Sequence, residues 1–154
     1  MSLLIARARP DEFICGYRGR LGILNQCANE TKFMEALRAR LHPEAVVEPP
    51  IAQTLALASQ VSTRNFIYHH TLLPLHRAIA TADLDVPHGD PSRPELIERY
   101  GTRTVRPNVH LCPTCIQEEK IELGYAYWHR SHQLPGIYWC LKHGTALAIA
   151  DGSR

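Results

Sequence analysis

The sequence predicts a mainly α-helical fold over residues 1–108, followed by a small module of different build over residues 109–154. Three observations predict it. Apolar residues recur at helical spacing through the first half of the chain. Prolines and capping residues cut that pattern into short helices. From Val109 onward, aromatic and β-branched residues are set between two pairs of metal-type ligands.

The first helix follows Asp11, which is placed to cap its first turn. Phe13, Ile14, Tyr17, Leu21 and Leu24 form its apolar stripe. Cys15 and Cys27 lie in or beside it and read as small buried thiols. A second helix runs from about Glu30 to Leu41. Phe33, Met34, Leu37 and Leu41 share one face, Asn29 or Thr31 is the cap, and Pro43 lies beyond the end. Pro49 and Pro50 open a third helix, Ile51 to Gln60, because proline lacks only an N–H that a first turn leaves unpaired. After a break at Val61-Ser62, a fourth helix spans Thr63 to Leu72. Ser62 or Thr63 is its N-cap and Pro74 its stop.

A fifth short helix covers Leu75 to Thr81. Asp83 to Arg93 are rich in Asp, Pro, Gly and Ser and read as a linker. Pro94 to Tyr100 supply one or two further turns. Arg99, Arg103 and Arg106 then lead into the C-terminal module, where a solvated face is the simplest account of them. Within the module, Tyr125, Tyr127 and Trp128, then Ile137, Tyr138 and Trp139 around Pro135-Gly136, are strand-type residues. They predict a small antiparallel unit, with a last strand at Ala146 to Ile149.

A chain of 154 residues holds one ordinary domain, or a small domain and an appendage. Hydrophobic residues at 45% allow a core, and 21% charged residues argue against disorder. The formal charge of +2 is too small to argue nucleic-acid binding alone. Only Lys32, Lys120 and Lys142 are lysines, so any basic patch is mostly arginine. An odd count of five cysteines, three in metal-type spacing, argues for a reducing cytoplasm rather than a disulfide framework. The opening MSLLIARARP puts its apolar run before its arginines, the reverse of a signal peptide. No stretch of ~20 apolar residues exists to span a membrane.

Cys112 and Cys115 form C-x2-C; after 24 residues, Cys140 and His143 form C-x2-H. Two such knuckles can aim four side chains at one tetrahedral zinc ion, with bonds of about 2.0–2.3 Å. Four protein ligands leave no open position, so one structural Zn2+ in a zinc-ribbon-like module is expected. His110, His129 or His132 could replace His143, although the two-residue spacing favours His143. Zinc deaminases pair H-x-E with P-C-x2-C; here Leu111 stands where that proline would, which argues against that class.

Residues 51–72 have the plan of a helix-turn-helix. The N-terminal residues of the second helix would then meet DNA: Thr63, Arg64 and Asn65, with Tyr68 and His69 one turn on. Arg pairs with guanine, Asn with adenine, and either with phosphate. Such turns usually carry glycine where this chain has Gln60. An ordinary helical hairpin is the alternative. No nucleophile elbow, phosphate loop or paired-carboxylate pattern occurs, so a non-enzymatic protein is expected.

The runs L-C-P-T-C, Y-W-H-R-S-H-Q-L-P-G and W-C-L-K-H-G-T-A-L, from Leu111 to Leu147, resemble the TniQ family of bacterial transposition proteins. DEFICGYRGRLGILNQ resembles the family's opening segment, in which an acidic pair precedes the first helix, and LASQVST resembles its helix-turn-helix region. The resemblance implies zinc ligation by Cys112, Cys115, Cys140 and His143, and target-site selection during transposition. It implies as partners DNA, a AAA+ ATPase and its transposase, an RNA-guided or other target-recognition complex, or a second copy of the chain. Family members are often longer, with further C-terminal helices; this chain stops at Arg154. The rival reading is a stand-alone, regulator-like DNA-binding module without transposition partners.

Overall fold

A computed structural model describes residues 3–79, 90–102 and 106–150. Its helices are α1 (Ile14–Leu24), α2 (Glu30–Leu41), α3 (Ile51–Ser59), α4 (Thr63–His70), α5 (Leu73–Ile79), α6 (Pro94–Leu96) and α7 (Pro113–Leu123). A π-helical turn, Ile97–Gly101, continues α6. Two short strands, β1 (Val109–Leu111) and β2 (Ala148–Ala150), pair antiparallel with Val109 opposite Ala150 and Leu111 opposite Ala148. The fold is mainly helical with one two-stranded sheet among the described residues.

One core joins the helices. Phe13, Tyr17 and Leu21 meet Phe33 and Leu37 of α2, Leu55 of α3, Phe66 and Ile67 of α4, and Leu72. Burying such side chains is worth about 1.5–3 kcal/mol each before the entropy of ordering is subtracted. Trp128 and Leu134, from the C-terminal part, pack on the same core. Backbone contacts cross there too: Phe13 N donates to Trp128 O at 2.6 Å, and Glu12 forms a bridge with His129. Gly16 permits this approach, since a Cβ there would lie 2.8 Å from Trp128 Cβ.

The capping chemistry sets most of the early boundaries. Asn29 Oδ1 accepts from Lys32 N at 3.0 Å at the start of α2, and Ser62 Oγ accepts from Asn65 N at 3.2 Å at the start of α4. Several expectations need correction. Asp11 does not cap α1: Phe13 holds the N-cap position with no side-chain bond. Asp11 instead sits at φ +58, and its carboxylate accepts from Ser131 N at 3.1 Å and Ser131 Oγ at 2.5 Å. The α4 helix ends at His70, because Thr71 turns extended and its hydroxyl accepts from Leu73 N. Pro74 therefore lies in the first turn of α5, where its missing N–H costs nothing.

The larger correction lies after Cys115. Residues 113–123, for which the sequence pattern predicts no helix, form α7. Tyr125, Tyr127 and Trp128 form no strand, and Trp128 packs on the core. Of the expected unit around Pro135-Gly136 only the bridge Trp139–Ala146 exists, and the last strand falls at 148–150. Most of the Asp83–Arg93 linker, the end of the fifth helix at Thr81, and Arg103 lie outside the described residues.

Candidate metal centre and the exposed face of α4

The first knuckle is the junction of β1 and α7. Cys112 is the N-cap of α7, Pro113 occupies the first helical position, and Cys115 N points at Cys112 Sγ at 3.5 Å. A thiolate is favoured there by the helix N-terminus. The second knuckle is a tight hairpin. Cys140 N donates to Thr145 O at 2.8 Å and Gly144 N to Cys140 O at 2.8 Å, with Gly144 at φ +60, a conformation glycine adopts without strain.

The two knuckles bring four ligand atoms within 4.8 Å of one another: the sulfurs of Cys112, Cys115 and Cys140 and a ring nitrogen of His143. His143 Nδ1 lies 3.5 Å from Cys112 Sγ, 3.4 Å from Cys115 Sγ and 3.6 Å from Cys140 Sγ. Cys115 Sγ and Cys140 Sγ are 3.7 Å apart, far longer than a disulfide. A tetrahedral ion with metal–sulfur bonds of about 2.3 Å and a metal–nitrogen bond of about 2.0–2.1 Å sets ligand–ligand edges of about 3.5–3.8 Å. The separations match. The cluster is close enough to hold a metal ion.

The surroundings orient it. His143 Nε2 lies 3.1 Å from Glu118 Oε1, and Glu118 Oε2 accepts from Lys142 Nζ at 2.5 Å. A carboxylate on the far ring nitrogen fixes the tautomer that leaves Nδ1 facing the sulfurs. The Lys142 hydrogen bond, with a further contribution from His143, holds the Glu118 carboxyl below its usual value. Burial pushes the Cys112 thiol up, but the Thr145 hydroxyl at 3.2 Å, the Cys115 amide and His143 outweigh it and bring it down to about 6. Burial and the neighbouring sulfurs push Cys115 up.

Of the other candidate histidines, His110 and His129 have partners of their own. His110 Nδ1 lies 3.0 Å from Asn108 O. His129 stands between Glu119, which its Nε2 contacts, and Asp11, 3.6 Å from its Nδ1. Burial lowers the His129 imidazolium, but those two carboxylates raise it overall. His132 is buried beside His129, and burial plus that charge push it down to about 4. Cys115, Glu119 and His129 also lie within 4.8 Å of one another, but Glu119 is occupied by His129 and by Tyr127 N at 3.1 Å. It ties α7 to the Tyr127–His129 segment.

The α3–α4 hairpin turns at Gln60, in the left-handed conformation at φ +60 and ψ +36. The missing glycine does not prevent the turn; it adds roughly 1 kcal/mol of strain. Phe66, Ile67 and His70 of α4 face the core, whereas Arg64, Asn65, Tyr68 and His69 are exposed and Thr63 is half-buried. Four of the five residues singled out for DNA contact thus share one solvent-facing side, and Thr63 lies at the first turn on the core-facing side. His70 Nδ1 lies 2.8 Å from Glu12 O, and burial keeps this imidazole below its usual value.

A network between the chain's ends went unforeseen. Glu12 is fully buried and receives Arg20 Nε on Oε1 and Arg20 Nη2 on Oε2, both at 2.7 Å. Arg130 Nη1 donates to Tyr68 O at 2.8 Å, and Arg130 N to Asp11 O at 2.6 Å. The sequence signal was the acidic pair Asp11-Glu12, but its partners lie 3 to 120 residues away.

The TniQ family model matches residues 3–147. The chain belongs to the TniQ family. No curated protein sequence matches it. Membership associates this TniQ chain with transposition and its machinery. The match covers both the cysteine–histidine cluster and the α3–α4 hairpin. Among the described residues no helix is long and apolar enough to cross a membrane.

Proposed function

We propose that this TniQ chain is a non-enzymatic target-selection adaptor of transposition, acting in the cytoplasm. Its α3–α4 hairpin works as a helix-turn-helix that meets DNA through Thr63, Arg64, Asn65, Tyr68 and His69. Its C-terminal residues 109–154 form a module held by one structural zinc ion on Cys112, Cys115, Cys140 and His143. The observation that carries the DNA reading is the exposure of Arg64, Asn65, Tyr68 and His69 on one face of α4, a helix capped and turned so that its other face is in the core. Zinc supplies a cross-link between the β1–α7 junction and the 140–145 hairpin, and no catalytic chemistry. Three thiolates and an imidazole suit zinc over oxygen-seeking ions.

In this role the protein links a recognised target to a AAA+ ATPase and transposase, with an RNA-guided complex as another means of recognition. Arg64→Ala tests the DNA contact: duplex affinity falls about five- to a hundredfold if Arg64 reads a base, less if it meets phosphate. The adaptor role is tested by co-elution with a transposon AAA+ ATPase. DNA binding without any such complex favours a stand-alone regulator-like module.

A further inference from the structure

We propose that the N-terminal arm belongs to the nucleic-acid interface, with Arg7 contacting a backbone phosphate of the same duplex that α4 meets. This rests on the reading of α4 as a DNA-facing helix.

The arm, residues 3–12, is pinned along its length. Leu4 N donates to Asn25 Oδ1 at 2.8 Å, and Asn25 Nδ2 returns a bond to Leu4 O at 2.9 Å. Tyr17 Oη donates to Ala6 O at 2.8 Å, Arg20 Nη2 to Arg7 O at 2.8 Å, and Ala8 N to Ser59 Oγ at 3.0 Å. These bonds fix the backbone and leave the Arg7 side chain exposed. Its Nη2 donates to Gln60 Oε1. A guanidinium carries five N–H donors, so most of them stay available.

Gln60 explains the rest. It occupies the left-handed position that glycine would fill at lower cost, but glycine has no side chain to reach the arm. The strained residue is matched by a contact that holds Arg7 over the turn entering α4. Between arm and helix lies an open cleft of about 390 Å³, with Arg7, Gln60, Asn65 and His69 in its wall. Guanidinium, amide and imidazole are donors that bind phosphodiester oxygens. Asp11 borders the cleft, but its carboxylate is spent on Ser131 and Arg130. Arg9 donates to the Tyr125 hydroxyl at 2.9 Å and adds a second positive charge. A pinned arm also avoids most of the ordering entropy that a flexible one loses on binding.

Fluorescence anisotropy with a short labelled duplex of mixed sequence, titrated from about 50 to 200 mM salt, tests this. Arg7→Gln lowers the slope of log affinity against log salt by about 0.9, the contribution of one phosphate, and weakens low-salt binding about five- to tenfold. Arg7→Lys restores the slope. Gln60→Gly, which keeps Arg7 but frees it, weakens binding about two- to threefold. Melting temperatures of all variants within a few degrees of wild type show that folding is intact. An Arg7→Gln protein with wild-type slope and affinity, beside an Arg64→Ala protein that loses affinity, overturns the arm contact and leaves the α4 reading standing. Polyglutamate competing as well as unlabelled duplex also overturns it. A wild-type chain that binds no duplex at any salt overturns both.

Discussion

Replacing Glu12 by glutamine removes one charge from the most buried ion pair among the described residues. Glu12 has no exposed surface, and the Arg20 side chain is only 10% exposed. The carboxylate accepts three bonds: two from Arg20 and one from Arg9 N at 2.8 Å. Burial alone would lower the Arg20 guanidinium, and Glu12 more than offsets it. Breaking such a pair by removing one partner costs about 3–5 kcal/mol. Glutamine keeps the volume and one acceptor, so one Arg20 bond survives and the expected loss is about 2–3 kcal/mol. That is a large share of the roughly 5–15 kcal/mol a domain has in total. At about 2–4 °C per kcal/mol the melting temperature falls by about 5–10 °C. Urea denaturation of the metal-loaded protein, followed by circular dichroism, gives the number. Adding Arg20→Met to Glu12→Gln relieves the stranded guanidinium and recovers part of the loss. A single-variant loss below about 0.5 kcal/mol, or a double variant no more stable than the single, refutes the account.

Purified protein is expected to carry about one zinc per chain by elemental analysis, and Cys140→Ser to carry none, with hydrogen-exchange protection lost first in residues 109–150. Ser62→Ala removes the N-cap of α4 and lowers stability by about 1 kcal/mol in urea melts, against a few tenths for Ser62→Gly. Gly16→Ala forces its new methyl against Trp128 and costs about 1–3 kcal/mol, which a thermal melt reads directly. His132, depressed from 6.5 to about 4, contributes stability that is full above its ordinary value and lost as pH falls toward 4. His129, raised by Asp11 and Glu119, works oppositely: its contribution is full below its ordinary value and lost as pH rises through the raised one. Between pH 7 and 5 the wild type should therefore lose about 2 kcal/mol more than His132→Phe, measured as a difference in urea midpoints.

The early helices were legible because their signals are local. The α2 and α4 helices begin where Asn29 and Ser62 cap them, and α3 begins where the prolines end. The four residues of the metal cluster were legible for the same reason, since each knuckle needs only two residues between its ligands. The α7 helix carries local signals too: proline at its first position, Lys120 in its last turn and Gly124, which closes it at φ +79. Reading Tyr125, Tyr127 and Trp128 as strand failed for a different reason. Strand propensity measures how side chains fit a half-buried extended surface, and here α1 supplies that surface in place of a sheet. Asp11 misled because a carboxylate just before a helix is usually a cap, and only the fold reveals Ser131 and Arg130 waiting 119 to 120 residues downstream. Gln60 could be read as a departure from glycine, but its partner Arg7, 53 residues away, could not.

Arg130 has a practical consequence for anyone dissecting this molecule. It reaches from the last third of the polypeptide to carbonyls of Tyr68 and Thr71, at the trailing end of α4. A clone encoding only the front portion would strip those oxygens of their donor and bare the greasy seat of Trp128 and Leu134. Chimeras that splice the front of one relative onto the back of another must therefore carry Asp11, Arg130 and Trp128 across as a matched set.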